Sequence, residues 1–208
     1  MFIHCLKSVA VWRDSAQTHV PPDAADKMPS WVYNFVCAFF CHGFGGTHFR
    51  DWAVAKPPGI FTNPDLPKTW ALAFALVYFS PFDVVFQLIN TPGTVTSLCV
   101  TSFEAIDSAT TICGSVEKGR TLFPKSPLAP FVVALFGGVG GSVFRYFERK
   151  FGRGWTDHEI EWYAPSEVFG RTVVYTCVYM YLSRAYGISK ARLWVTYFHV
   201  VYSLVLRG

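Results

Sequence analysis

Two eight-residue segments carry the same pattern of small and polar residues. Gly43-Phe44-Gly45-Gly46-Thr47-His48-Phe49-Arg50 and Gly138-Val139-Gly140-Gly141-Ser142-Val143-Phe144-Arg145 both read G-x-G-G-T/S-x-F-R, with an offset of 95 residues. Glycine has no Cβ, so it lets a helix break or lets a second backbone come close. Inside a membrane, freed backbone groups are tolerated only where protein or water meets them. Exposed carbonyls can then replace part of the hydration shell of an ion, with no bond made or broken. Gly43, Gly45, Gly46, Gly138, Gly140 and Gly141 are therefore candidate hinge or pore residues. The competing reading is packing, because Gly137-xxx-Gly141 also fits close helix association through small residues.

Ionisable residues inside apolar runs form a second group. Each costs about 2.5–3.5 kcal/mol on insertion scales and is a functional candidate by default. Asp83 follows Ser80-Pro81-Phe82, where proline frees a backbone carbonyl. It either faces a pore or bonds locally. Glu104 and Asp107 are three apart, hence on one helix face, and are expected in an aqueous or protein-lined setting. Ser142, Arg145 and Arg171 complete the polar candidates. The arginines either pair with the acids or snorkel to the membrane surface.

Enzyme chemistry finds little support. Cys37, Cys41 and His42 have helical metal-ligand spacing but no convergent carboxylate, so no metal is expected. Ser142 and the distant His199 are a nonspecific hint of a hydrolase. The glycine runs lack the strand and the Lys-Ser/Thr of a phosphate loop.

The elements that must position these residues are apolar. The chain has 208 residues, of which 51% are hydrophobic, 18% aromatic and 15% charged. Soluble domains carry about 25% charged residues. Disorder is excluded by this balance. The net charge of +4 is scattered, with no dense basic block, so nucleic acid is not expected as a partner. The six cysteines lie mostly in apolar runs and read as core hydrophobes. Six stretches fit the roughly 20 residues of a spanning helix: Trp31–Phe49, Trp70–Ile89, Gly93–Val116, Leu128–Phe147, Val168–Tyr186 and Ala191–Leu206. Met1–Trp12 is apolar but short and broken by Lys7, so it is either the tail of a further helix or a surface segment. Charged linkers are expected at Glu117–Pro127 and Glu148–Pro165, the latter with Trp155, Trp162 and Tyr163 at the interface. The two glycine motifs lie three helices apart, so their helices should run antiparallel. That is the pattern of inverted repeats, whose transport site lies near the midplane.

Several segments, in order, resemble the trimeric intracellular cation channels, the TRIC family of endoplasmic and sarcoplasmic reticulum. They are Pro29-Ser30-Trp31, Gly43-Phe44-Gly45-Gly46, Lys56-Pro57-Pro58 with Phe61-Thr62-Asn63, and Tyr78-Phe79-Ser80-Pro81-Phe82-Asp83. Gly138-Val139-Gly140, Phe147-Glu148, Gly154-Trp155 and Ile188-Ser189-Lys190-Ala191 follow. The resemblance implies an all-α membrane protein, a seven-helix bundle of two inverted three-helix repeats plus one extra helix. Residues 1–208 would form one transmembrane domain, with repeats at about 1–89 and 93–186, an extra helix at about 191–206, and a first helix truncated here. It further implies a homotrimer with one pore per subunit, set among membrane lipids. The implied activity is K⁺ conduction that balances charge as an organelle releases Ca²⁺. The family's Lys-Glu-x-x-Arg, associated with an inositol phospholipid, falls on Phe103-Glu104-Ala105-Ile106-Asp107, where only the glutamate is retained. A family lysine falls on Gly137. Weak or absent inositol-lipid binding is the expectation, and no other cofactor is implied. A carrier with inverted repeats and a non-conducting structural homologue remain the alternatives.

Overall fold

The computed structural model describes residues 1–18, 30–152 and 165–207. Pro29, Gly154, Trp155, Trp162 and Tyr163 lie outside the described residues. Those described are helical, joined by short turns, with no strand among them. The order is α1 (Phe2–Thr18), α2 (Trp31–Ala38), a π-helical turn (Phe39–Gly43), α3 (Gly45–Ala53) and α4 (Gly59–Thr62). Then come α5 (Asp65–Phe79), α6 (Val84–Asn90), α7 (Val95–Leu122), α8 (Ala129–Phe147), α9 (Glu167–Tyr186) and α10 (Ile188–Arg207). Side-chain caps start three of them. Ser30 accepts from the Tyr33 N–H, Thr94 from Ser97 and Ser166 from Phe169. Gly187, at φ +87°, separates α9 from α10.

The first segment does not end at Trp12. Helix α1 continues to Thr18 and contributes to the core, with Cys5, Val9, Ala10 and Trp12 almost fully buried. Arg13, the residue after that segment, is used inside the bundle. The expected span Trp70–Ile89 is in fact two helices, α5 and α6, bent by 95°. Pro81 has no N–H, so the carbonyl of Val77, four residues back, loses its helical partner. Arg13 Nη1 donates to that carbonyl at 2.7 Å. The same guanidinium grips Asp83 through Nη1 at 3.0 Å and Nη2 at 2.9 Å. It also lies over the rings of Tyr78 and Phe86, 5.4 and 4.5 Å from their centroids. Phe82 and Asp83 adopt φ of 54° and 56°, a left-handed pair without glycine. Such backbone persists only where its surroundings over-determine it, and the Arg13 fork does so. Arg13→Leu should therefore lower the thermal midpoint in detergent; loss of the charged bond to the Val77 carbonyl alone costs about 1.5–3 kcal/mol. An unchanged midpoint would show that the bend holds without it.

The third span is longer than its apolar stretch. Helix α7 continues past Val116 to Leu122 and takes in Glu117, Lys118 and Arg120. These charges are paired in the bundle instead of sitting in a loop. Arg120 donates to Glu117 at 2.7 Å and to Ser183 of α9 at 2.8 Å, and Lys118 donates to Asp51 of α3 at 2.6 Å. Helix α8 runs on into a second π turn, Glu148–Gly152.

Helix α7 stands between two packed groups. One joins α1, the π turn and α5 through Trp12, Phe39, Trp70 and Phe74. The other joins α7 to α8, α9 and α10 through Cys113, Val116, Ala134, Tyr179 and Val195. Cys5, Cys41 and Cys113 are buried. Among the described residues, one continuous helix, Ala129–Phe151, is long and apolar enough to cross a membrane, and the bent α5–α6 pair could form a second span. The other helices carry inward polar side chains that lower their hydropathy, among them Thr101, Ser115, Thr172 and Thr176. Meanwhile Trp31, Phe61, Val95, Tyr181 and Leu193 face outward. Polar inside and apolar outside suits a lipid solvent.

Candidate functional site

The two glycine motifs meet where α3 crosses α8. A Cβ on Gly45 would lie 3.0 Å from the Gly141 Cα, and a Cβ on Gly140 would lie 3.0 Å from the Gly46 Cα. The 95-residue offset exchanges these contacts, since it carries Gly45 to Gly140 and Gly46 to Gly141. Phe49 and Phe144, equivalent under the same offset, meet edge to face with centroids 6.3 Å apart. Each copy thus packs on the other through matching residues.

The copies differ in one respect. The first is interrupted: the π turn ends at Gly43, and Phe44 leaves helical geometry at φ −121°, ψ 8° before α3 begins. The second, read from the sequence as an interrupted helix too, is continuous from Ala129 to Phe147. Gly137 is backed by Ser115 of α7 and Gly138 by Thr172 of α9, so this stretch is clamped between neighbours. Its glycines serve close approach, while a break occurs only in the first copy.

Beside the crossing lies a cavity of about 410 Å³. Gly43, Gly45 and Gly46 border it from one side, and Gly138, Gly141, Ser142 and Arg145 from α8. Helix α7 presents Glu104, Asp107, Ser108 and Thr111, and α9 adds Arg171 and Thr172. The structure therefore gathers ten of the twelve sequence candidates at one cavity, all but Gly140 and Asp83. Gly140 packs beneath Phe49 at the crossing. Asp83 lies at the α5–α6 bend, where Arg13 of α1 binds it, so its carboxylate neither borders the cavity nor bonds within its own segment.

The cavity is divided electrostatically. Its acids stand on α7, and its arginines stand on α8 and α9. Arg145 Nη2 donates to Ser142 Oγ at 3.0 Å, and Arg171 lies 3.6 Å from Glu167 one turn back on α9. The Arg171 side chain is only 13% exposed, so it does not reach out to the surface. His4 stands between the π turn and α7: its Nε2–H donates to the Gly43 carbonyl at 2.9 Å, and its Nδ1 lies 3.8 Å from Asp107 Oδ2. The carbonyl that ends the π turn is thereby tied to α1 and, through His4, lies close to the acidic wall.

Some lining residues escaped the sequence reading. His4 sits in a segment taken for a truncated tail. Ser108 and Thr111 had a signal: with Glu104 and Asp107 they occupy positions i, i+3, i+4 and i+7, one continuous helical stripe. A buried charge cluster also emerges next to the crossing. Asp51, 6% exposed, accepts from Arg50 Nε at 2.8 Å and from Lys118 at 2.6 Å, while Arg50 Nη1 donates to Ser115 at 2.9 Å. Arg50 is the repeat equivalent of Arg145, yet it turns into protein where Arg145 turns to the cavity. Ser142 and His199 do not form a catalytic pair. Ser142 is held by Arg145, and His199 packs on Tyr175 with ring centroids 4.9 Å apart.

Comparison with known proteins agrees with this architecture. The chain is similar to a structure described as the structural basis for activity of TRIC counter-ion channels in calcium release, at 18% identity and TM-score 0.75, over 98% of this chain and 91% of that one. It is also similar to a trimeric intracellular cation channel from C. elegans with bound Ca²⁺, at 19% identity and TM-score 0.75, over 98% and 87% of the two chains. The Ca²⁺-free form of that channel matches at 21% identity with TM-score 0.75, over 98% and 86%. At these identities the likeness is one of fold. No curated protein sequence matches the chain. The TRIC channel family model matches residues 40–207, from the π turn to the end of α10, and the chain belongs to the TRIC channel family.

Proposed function

We propose that this channel protein conducts monovalent cations, chiefly K⁺, across the endoplasmic or sarcoplasmic reticulum membrane, and so supplies the counter-ion flux for Ca²⁺ release. The observation that carries the reading is the cavity at the glycine crossing, with the Glu104–Asp107–Ser108–Thr111 stripe on one wall. Carboxylate and hydroxyl oxygens on that wall replace part of a cation's water shell. Arg145 and Arg171 repel a cation from the opposite wall and confine its path to α7. The bond from His4 to the Gly43 carbonyl holds the interrupted helix in the arrangement seen here. Opening and closing would proceed by movement of α3 at its break against a continuous α8.

The reciprocal glycine contacts support two inverted repeats, about residues 1–89 and 93–186, with α10 as the extra helix. Similar structures are described as trimeric, and a homotrimer with a path in each subunit accounts for the exposed aromatic and aliphatic surface. Inositol-phosphate binding at α7 is weak in this reading. Phe103 points outward and Asp107 borders the cavity, so neither position offers a cation.

Purified protein in a planar bilayer under a KCl gradient tests the function. Unitary steps that reverse near the K⁺ equilibrium potential are expected. Reversal near the chloride potential would overturn cation conduction. Saturable coupled flux without steps would point to a carrier, and no current at all to a structural homologue.

A further inference from the structure

A chain of polar bonds fastens the far end of α3, beyond the break at Phe44, to α7. Asp51, in the last turn of α3, is buried and accepts from Lys118 Nζ of α7 at 2.6 Å and from Arg50 Nε at 2.8 Å. Arg50 donates through Nη1 to Ser115 Oγ of α7 at 2.9 Å. The Ser115 hydroxyl donates in turn to the Thr111 carbonyl at 2.7 Å, so it meets Arg50 as an acceptor. Thr111 borders the cavity, and the bonds from α3 therefore end on the backbone of the cavity wall.

A glycine sets the route that Arg50 takes. Its stem passes α8 at Gly137, where an added Cβ would lie 3.6 Å from Arg50 Cδ and 2.6 Å from Ser115 Oγ. Helices α7 and α8 meet closely again at Gly119, whose added Cβ would lie 2.6 Å from Pro130 Cα. Two such approaches make α7 and α8 one unit. Helix α3 joins that unit in two ways. Near the break, Gly46 packs on the backbone of Gly137. At the far end the joint consists of charge-assisted hydrogen bonds, which are strong and directional. With α3 and α8 in backbone contact, no ion passes between them. Widening the crossing requires α3 to part from α8, and the bonds to α7 oppose that motion.

Resting on gating at the glycine crossing, we propose that Asp51–Lys118 and Arg50–Ser115 form a release-to-open clasp. It holds α3 on the α7–α8 unit in the closed arrangement and parts as the path widens. A contact made in one of two states biases their equilibrium, whereas packing common to both biases nothing. The clasp can be weakened without stranding a charge. In Lys118→Gln, Asp51 keeps Arg50, and in Ser115→Ala, Arg50 keeps Asp51.

The test records single channels of the full chain in planar bilayers with symmetrical KCl, and follows hydrogen exchange of the same proteins in detergent. Lys118→Gln is expected to shift the closed–open equilibrium toward open by roughly tenfold, and Ser115→Ala by roughly three- to tenfold, with unitary conductance unchanged. Lys118→Arg keeps the charge and the reach, and should gate as the unmodified protein does. Amide exchange across Gly45–Ala53 should quicken in Lys118→Gln and Ser115→Ala while that of α10 stays the same. Open probability that is unchanged or lower in both variants would overturn the clasp and leave conduction standing. If the unmodified protein passes no current, the functional reading fails and exchange alone decides. Selectively faster exchange in α3 would then sustain the clasp, and unaltered exchange would overturn it. Ser115→Ala carries the same comparison if Lys118→Gln fails to fold.

Discussion

Glu104→Gln combined with Asp107→Asn is expected to lower K⁺ conductance at low salt by roughly tenfold and to move the reversal potential toward that of chloride. The argument is one of balance. The cavity carries two carboxylates on α7 against two guanidinium groups on α8 and α9. Removal of both acids leaves Arg145 and Arg171 as the dominant field in a confined space, where charges interact far more strongly than in open water. A cation would then meet a barrier and an anion an attraction. The effect should shrink as ionic strength rises, because the Debye length falls from about 10 Å at 0.1 M to about 3 Å at 1 M. Arg145→Gln with Arg171→Gln should shift selectivity the opposite way. Normal conductance and selectivity in the acidic double variant would show that ions do not pass along the α7 wall.

Much of the fold could be read from the residues themselves. Apolar stretches marked the helical segments from Trp31 onward, although Trp31–Phe49 and Trp70–Ile89 are each broken in two. Failures came where a charge is paired inside the bundle. Lys118 and Arg120 looked like loop residues, but their partners Asp51 and Ser183 lie 67 and 63 positions away. Arg13 lies just past the apolar segment read as ending at Trp12, and its partners Val77 and Asp83 lie 64 and 70 positions away. Local pattern carries no information about such pairs. Asp83 shows the same limit from the other side, since Pro81 announced a kink while nothing nearby announced the arginine that holds it. The cavity was more legible, because its α7 wall is one helical stripe and its glycines recur at a fixed offset. His4 was not, because a single histidine in a short apolar segment has no pattern to belong to.

Alanine at Gly46 or Gly45 is expected to cost more than any other glycine substitution, at the level of folded protein recovered. A Cβ at Gly46 would fall on the Gly137 carbonyl oxygen, and one at Gly45 on the Phe40 carbonyl oxygen. Backbone cannot rotate aside as a side chain can, so α3 must part from α8 in the first case and shift against the π turn in the second. Overpacking of this kind costs about 1–3 kcal/mol where side chains can yield, and more is expected here. Gly140→Ala should also be costly, because its Cβ would meet Phe49 Cβ at 2.5 Å, at the root of a ring already packed on Phe144. Gly141→Ala should be mild, with the Cys41 carbonyl at 3.1 Å. Gly114→Ala, in the middle of α7 with nothing within 4 Å, should be neutral or stabilising, since alanine is the better helix former. Thermal midpoints in detergent give the ranking, and bilayer recordings of the variants that fold give the functional part. If the first copy alone is the moving break, Gly43→Ala should alter open probability, because its Cβ would press on the buried Trp70 ring, at 2.8 Å, right at the break. Gly141→Ala, on the continuous helix, should leave gating unchanged. Wild-type stability in Gly46→Ala would mean that the two motifs do not cross at backbone contact. Equal gating defects in Gly43→Ala and Gly141→Ala would mean that both helices move, and that the break at Phe44 is not the hinge.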